Sequence, residues 1–291
     1  MLKKIGCLGP EGTFSDVAAN CYANSQHQAG FEIIHFSTIH DVLQKMEQGV
    51  VDEIVVPVEN SVEGSVNVTL DKLADSYNLS VIYEFTLPIV HDLIALPGAK
   101  KNIIQKLLSH PQIIGQCQEY IRAEFDNIKI EYEVSSAAAV EYVLKKQDKT
   151  IAAIGSYNNI IKNRAKNNLI LLEARINDRK TNQTTFFVIN NKVIEKTGDK
   201  VSIVFSINKD VPGGLHKVLQ KFAVRDINLT KIESRPTKEY LGQYLFFIDL
   251  QCDYADKKAL QTLQQVEASS SFFRILGVYK TLSVIKGEID C

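Results

Sequence analysis

The sequence has almost no net charge. Its 291 residues carry 33 Lys and Arg against 34 Asp and Glu, a balance of −1. Such a chain sets up no large field toward nucleic acid or anionic lipid, so neither is an expected partner. It also has no apolar run near the ~18–20 residues that a membrane helix needs. No apolar stretch with a cleavage site follows the first lysines, so no secretory leader is expected. CxxC and HExxH are both missing: the five cysteines stand apart at 7, 21, 117, 252 and 291, and the six histidines form no Cys/His cluster. These absences exclude a disulfide frame and a motif-borne zinc site. They predict reduced thiols, a cytoplasmic setting and no bound metal.

What is present is ordinary globular chemistry, 45% hydrophobic and 23% charged residues, enough for two or three domains with cores of their own. Strand-like runs alternate with helical ones: "KKIGCLG", "EIIHFS" and "EIVVPVEN" with helices between them. Alternation of this kind predicts an α/β layer with a mostly parallel sheet. The expected caps are Ser15 for the first helix, Gly49 for the end of the second and Ser65 for the third, where Val66, Leu70 and Leu73 share a face. The pattern then repeats. It gives strands over 80–96, a helix over 103–110, a longer helix opening at Pro111, a strand over 128–134, a helix capped by Ser135 or Ser136, and strands over 150–156 and 186–190. A polar stretch, "NNKVIEKTGDK", reads as a linker. After it the order βαββαβ predicts a ferredoxin-like α+β module. The expected division is 1–190 as two α/β lobes with a cleft between them, 191–199 as linker, and 200–291 as a separate module. The turns "GTFS", "EGS" and "SS" each precede a helix. Free N–H groups and the positive dipole end there can bind an anion, so a small anionic ligand is expected in the cleft.

Four stretches go further: "GPEGTFS" (9–15), "VPVENSVEGSV" (56–66), "SHPQIIGQC" (109–117) and "NQTTFFVI" (182–189). They resemble the signature segments of prephenate dehydratase, in that family's order. "PGGLHKVLQKF" and "INLTKIESRP" resemble the phenylalanine-sensing ACT domain joined to those enzymes. The resemblance runs from Gly9 to about Lys280, with no segment resembling a fused chorismate mutase. It implies a periplasmic-binding-protein-like double lobe followed by the ACT domain.

The implied activity is a carbon–oxygen lyase of phenylalanine biosynthesis, turning prephenate into phenylpyruvate, CO2 and water without a cofactor. The hydrogen-bond donor to the departing hydroxyl is the threonine of the family's Thr-Arg-Phe motif, which aligns with Thr184. Thr185 stands where the family has arginine, and Arg175, Arg179 and Lys180 lie just upstream as other cations. Successive strand residues face opposite sides, so only one of the two threonines faces the cleft. Thr13, Ser15, Asn60, Ser61, Glu63, Gly64, Ser65, Ser109 and Gln116 match substrate-site positions. In the ACT domain Gly213, Gly214, Leu215, Asn228, Leu229, Glu233, Ser234, Arg235 and Pro236 match the phenylalanine site. The family precedent implies a homo-oligomer, a dimer or a dimer of dimers, with phenylalanine as feedback effector. Alternatives stay open: arogenate as substrate, a decarboxylase that retains the hydroxyl, or an inactive aromatic-ligand-binding relative.

Overall fold

The computed structural model describes residues 2–27, 29–156, 168–194, 197–207, 212–237 and 243–282. The expected last strand's residues 283–285 and linker positions 195 and 196 lie outside them. In the first lobe, β1 (Lys3–Leu8), β2 (Phe31–Phe36) and β3 (Glu53–Asn60) run parallel in the order β3-β1-β2. Helices α1 (Phe14–Gln26), α2 (Ile39–Glu47) and α3 (Asn67–Asp75) pack on them. Val42, Leu43 and Met46 of α2 and Leu70, Leu73 and Ala74 of α3 line one face each and enter one core, while α1 is buried nearly all round from Ser15 to Ala23 and sends Val17, Ala18, Cys21 and Tyr22 into another. α2 and α3 show the stripe pattern of surface helices.

The sheet is mixed rather than mostly parallel. Strand β5 (Ser80–Pro88) and the returning strand β11 (Gln183–Asn190) join it antiparallel to one another, and β11 runs antiparallel to β3. Those two strands carry the chain out to the second lobe and back. The second lobe is a five-stranded sheet in the order β10-β6-β9-β7-β8. Its strands are β6 (Asp92–Ala95), β7 (Lys106–Ser109), β8 (Lys129–Tyr132), β9 (Ile151–Gly155) and β10 (Ile170–Glu173), with helices α4 (Pro111–Gly115), α5 (Gln118–Glu124) and α6 (Ser136–Lys146).

Three local expectations are corrected here. Residues 103–110 are not a helix: after one 3-10 turn at Lys101–Ile103 the chain forms β7. Ile103, Ile104, Leu107 and Leu108 recur at the helical i, i+4 spacing, but pairing with β8 and β9 on either side makes Lys106–Ser109 a strand. The long helix after Pro111 is broken into α4 and α5 at Gln116–Cys117. Asp178 causes the restart by accepting from the amides of Glu119 (3.1 Å) and Tyr120 (3.2 Å). Strand β10 was not expected at all. Two caps also move. Thr13, not Ser15, caps α1, leaving Ser15 buried in the first turn, and Val66 precedes α3 with no side-chain cap, because Ser65 belongs to the short strand β4 (Gly64–Ser65) beside β3. Ser135 caps α6.

The C-terminal module has the βαββαβ order: β12 (Lys200–Ile207), α7 (Gly214–Ala223), β13 (Asn228–Pro236), β14 (Tyr244–Gln251), α8 (Lys257–Ala268) and β15 (Ser270–Thr281). It is not separate from the first lobe. Strand β15 pairs in parallel with β5, so one sheet runs β13-β14-β12-β15-β5-β11-β3-β1-β2. Arg274 of β15 donates to the carbonyls of Leu73 (2.8 Å) and Leu79 (2.9 Å) at the far end of α3. Edge strand β13 reaches across as well: Lys231 to Glu59 (2.7 Å), Glu233 from Ser65 (2.9 Å) and Arg235 to Asp71 (3.1 Å). Among the described residues no helix is long and apolar enough to cross a membrane. Cys7, Cys117 and Cys252 have free thiols as expected, whereas Cys21 is disulfide-bonded, which the scattered spacing did not predict.

Candidate active site

Between the lobes lies a cleft of about 820 Å³ lined by residues that include Val62, Glu63, Gln116, Asn177, Arg179 and Asn182. Its inner wall is a chain of amides. Asn60, the last residue of β3, stands opposite Thr184 of β11. Its Oδ1 accepts from the backbone N–H groups of Val62 (2.9 Å) and Glu63 (3.0 Å), which fixes the amide's orientation because those groups can only donate. Its Nδ2 donates to Thr184 Oγ1 (2.8 Å) and Asn182 Oδ1 (2.9 Å). Asn182 Nδ2 donates in turn to Gln116 Oε1 (2.9 Å), and Gln116 Nε2 to Glu63 Oε1 (3.0 Å). His91 Nε2 is 2.8 Å from the same Gln116 oxygen. This chain ties the first lobe (Asn60, Glu63, Thr184) to the second (Gln116, His91).

Thr184 is buried, and its hydroxyl oxygen accepts from Asn60. Its proton is therefore left to donate, and no acceptor for it occurs among the described residues. Thr184 does not itself line the 820 Å³ space; Asn182 stands between them in the hydrogen-bond chain. Thr185 lies on the opposite side of the strand. Its Oγ1 is 3.2 Å from Thr86 Oγ1, and it lines a second cavity of about 230 Å³ together with Glu59, Glu84, Lys200, Lys231 and Asp249. Lys200 donates to both oxygens of Glu84 (2.6 and 2.7 Å), and burial pushes the Asp249 carboxyl up. The position that resembles the family's arginine thus faces the C-terminal module, not the cleft.

Other expected site residues separate. Ser61 and Gly64 shape the turn after β3: the Gln183 amide donates to Ser61 Oγ (3.0 Å), and Gly64 takes φ +84°, which favours glycine. Ser65 faces the C-terminal module through Glu233. Ser109 is fully buried and donates to the Ile154 carbonyl (2.6 Å), so it does not reach the cleft. Thr13 is committed to its own turn, donating to the Pro10 carbonyl (2.9 Å), and Ser15 is buried against the lobe. Of the three helix N-termini expected to hold an anion, two are capped from within, Thr13 taking the Asp16 amide and Ser135 the Ala138 amide, whereas α3, after the "EGS" turn, has no side-chain cap. Of the three upstream cations, Arg179 lines the cleft, while Lys180 Nζ turns back to the Arg175 carbonyl (2.6 Å).

Sequence reasoning missed Asn182, Asn177 and His91. Asn182 carried a signal, since it lies two residues before Thr184 and extended chain puts alternate residues on one side. His91 stands alone in the apolar run "LPIVHDLIAL", where a buried ring needs a partner. A cluster also went unseen: Cys7, Asp16 and His35 bring their donor atoms within 4.8 Å of one another. Asp16 already accepts from Gly12, Asn20 and His35, and burial followed by the Asp16 charge pushes the Cys7 thiol up to about 12. That cluster satisfies itself, and positions so far apart in sequence gave no motif.

The expected effector residues are not gathered within one chain. Gly213 (φ +79°) precedes α7, with Gly214 and Leu215 in its first turn. Glu233 and Arg235 point to the first lobe instead, and Leu229 packs in the module's core. Asn228, Leu229, Ser234 and Pro236 are all on β13, but its two ends are about 26 Å apart at ~3.3 Å per residue. Asn228 at the start of β13 therefore cannot share a single-chain pocket with Pro236.

A family model described as prephenate dehydratase matches residues 5–193, and one described as ACT domain matches residues 201–268. The prephenate dehydratase of Methanocaldococcus jannaschii is 38% identical over 93% of this chain and 95% of its own length. That of Bacillus subtilis is 32% identical over 96% and 99%. A crystal structure of the Arthrobacter aurescens prephenate dehydratase in complex with L-Phe is 30% identical, covers 98% of this chain and 92% of its own, and superposes with a TM-score of 0.83. With its first two thirds matched by one family model and its tail by the other, the chain belongs to the prephenate dehydratase family and carries a C-terminal ACT domain.

Proposed function

We propose that this chain converts prephenate to phenylpyruvate, CO2 and water, with Thr184 as the donor to the departing hydroxyl. The observation that carries the assignment is the Asn60 Nδ2 to Thr184 Oγ1 bond, which holds the threonine as acceptor and leaves its O–H, with no acceptor among the described residues, to donate. As the ring carboxylate leaves, its bonding pair enters the ring and the C4–O bond breaks with its own pair. That oxygen gains negative charge in the transition state and leaves as water on protonation. A buried donor that meets this oxygen as charge develops acts on the transition state more than on the ground state. Glu63, Gln116, Asn60 and Asn182 hold the geometry. Purified protein forming phenylpyruvate from prephenate faster than the uncatalysed reaction is the deciding result; an arogenate arm and product analysis separate the alternatives.

Arg179 is the one cation among the described residues that line the cleft. A guanidinium can meet a carboxylate with two parallel hydrogen bonds, so it is the group best suited to a substrate carboxylate. Arg179→Ala is expected to raise KM on the order of 10- to 100-fold, the worth of a charged hydrogen bond, with a smaller effect on kcat. Steady-state kinetics check this, and an unchanged KM removes the assignment.

The ACT domain is proposed to bind phenylalanine between two copies of the chain. The separation of Asn228 from Pro236 along β13 within one chain supports a site completed by a partner. The Lys231, Glu233 and Arg235 contacts supply the route by which binding biases the cleft, because they end on β3, β4 and α3 around Asn60 and Glu63. The division into residues 1–190, a linker at 191–199 and a C-terminal unit, and a cytoplasmic setting, fit this reading.

A further inference from the structure

His91 is almost completely buried at the start of β6, and it is not among the residues that the sequence motifs pick out. Its tautomer follows from the hydrogen bonds around it. The Val62 and Glu63 amides fix Asn60 with Oδ1 toward them and Nδ2 toward Asn182. Asn182 must then present Oδ1 to Asn60 and Nδ2 to Gln116. Gln116 in consequence presents Oε1 to both Asn182 and His91, and its Nε2 meets the Glu63 carboxylate, which only accepts. An amide oxygen cannot donate. The His91 nitrogen 2.8 Å away therefore carries the proton.

The ring's other nitrogen, Nδ1, is buried with no hydrogen-bond partner among the described residues. A buried unsatisfied acceptor is a cost, on the order of 1–3 kcal/mol. Burial also pushes the His91 pKa down, which keeps the ring neutral and Nδ1 bare. Phe14, from the "GTFS" turn, meets the ring edge-on at 5.8 Å, and the His91 amide is held by Asn177 Oδ1 at 2.7 Å. Ring and backbone are both anchored, so the Nε2–H direction is set.

We infer that His91 is a positioning residue: its Nε2–H pins the Gln116 carbonyl, and through Gln116, Asn182 and Asn60 it sets the direction in which the Thr184 hydroxyl donates. This rests on the reading of Thr184 as donor. Gln116 sits at the break between two short helices. Asn182 and His91 share its one oxygen, so losing the His91 donor releases half of that clamp.

The test uses three variants of the full chain. His91→Gln carries an amide N–H near the position of Nε2, His91→Asn carries one near Nδ1 instead, and His91→Phe keeps a ring with neither. The inference expects kcat within about threefold of wild type for His91→Gln. It expects a loss on the order of 10- to 100-fold for the other two, with KM nearly constant, the scale of a misdirected catalytic group. A purely structural role gives all three variants the same fall in thermal stability and an unchanged kcat per folded molecule; that overturns the inference. Nitrogen-15 spectra of histidine-labelled wild type give a second readout, independent of activity. Expected are a protonated Nε2 and an imine-type Nδ1 for His91, and a proton on Nδ1 overturns the inference even if the enzyme is fully active. If wild type makes no phenylpyruvate while the tautomer is as expected, the Thr184 reading fails and the hydrogen-bond chain stands.

Discussion

Thr184→Val is expected to lower kcat on the order of 10²- to 10³-fold, the effect of removing one preorganised donor from a developing oxyanion. Valine keeps the shape of threonine and removes only the hydroxyl. Asn60 Nδ2 still has Asn182 Oδ1 at 2.9 Å and the Gln183 carbonyl at 3.2 Å, so the amide chain survives the change. The loss should therefore fall on kcat and leave KM within a few-fold, since the hydroxyl acts where charge develops and not where the substrate is held. Thr184→Ser restores the hydroxyl and should recover most of the rate. Thr185→Val is the control. Its hydroxyl meets Thr86 on the far side of the sheet, so it should change kcat by no more than a few-fold. Equal losses at 184 and 185 in the phenylpyruvate assay would place the donor elsewhere.

The contrast between 184 and 185 was legible before any coordinates, because strand alternation alone separates neighbouring side chains. What each one faces was not. Thr185 looks into a charged cavity whose walls include Glu84 of β5 and Lys200 and Asp249 of the C-terminal module, residues brought together only by the pairing of β15 with β5. The same limit explains other differences. Residues 103–110 have apolar positions at helical spacing, and the neighbours that decide for a strand are about 20–45 positions later in the chain. Ser109 and Gln116 come from one motif, yet one ends buried against Ile154 and the other in the cleft, because Asp178 restarts the helix between Gly115 and Gln118. Elements with a strong local signal, such as the amphipathic α2 and the Ser135 cap, came out as expected. Motifs give the residues that act; long-range pairing gives the directions in which they point.

That pairing depends on one glycine. Gly277 lies in β15 opposite Val81 of β5, and a Cβ added there would meet the Val81 carbonyl oxygen at 2.3 Å, its Cβ at 2.7 Å and its carbonyl carbon at 3.0 Å. Two of those atoms are backbone and cannot swing aside, so Gly277→Ala must push the two strands apart. Overpacking of this kind costs about 1–3 kcal/mol. The smaller entropy of unfolded alanine returns roughly 0.4–1 kcal/mol of that. In a chain of this size the remainder lowers Tm by up to about 8 °C. Gly115→Ala, where an added Cβ meets nothing within 4 Å, should leave Tm nearly unchanged. The functional consequence is larger than the stability one. Strand β15 also carries Arg274, whose two bonds hold the carbonyls of Leu73 and Leu79, and widening at Gly277 strains that attachment. The contacts from β13 to Glu59, Ser65 and Asp71 then lose their common base. Gly277→Ala is therefore expected to keep prephenate turnover within a few-fold, since the amide chain behind Thr184 is untouched, while its rate becomes insensitive to phenylalanine. Calorimetry should still find phenylalanine bound, because the effector residues are remote from Gly277; loss of binding together with loss of response would mean the module itself had unfolded, and a wild-type response would show that the β15–β5 seam does not carry the coupling.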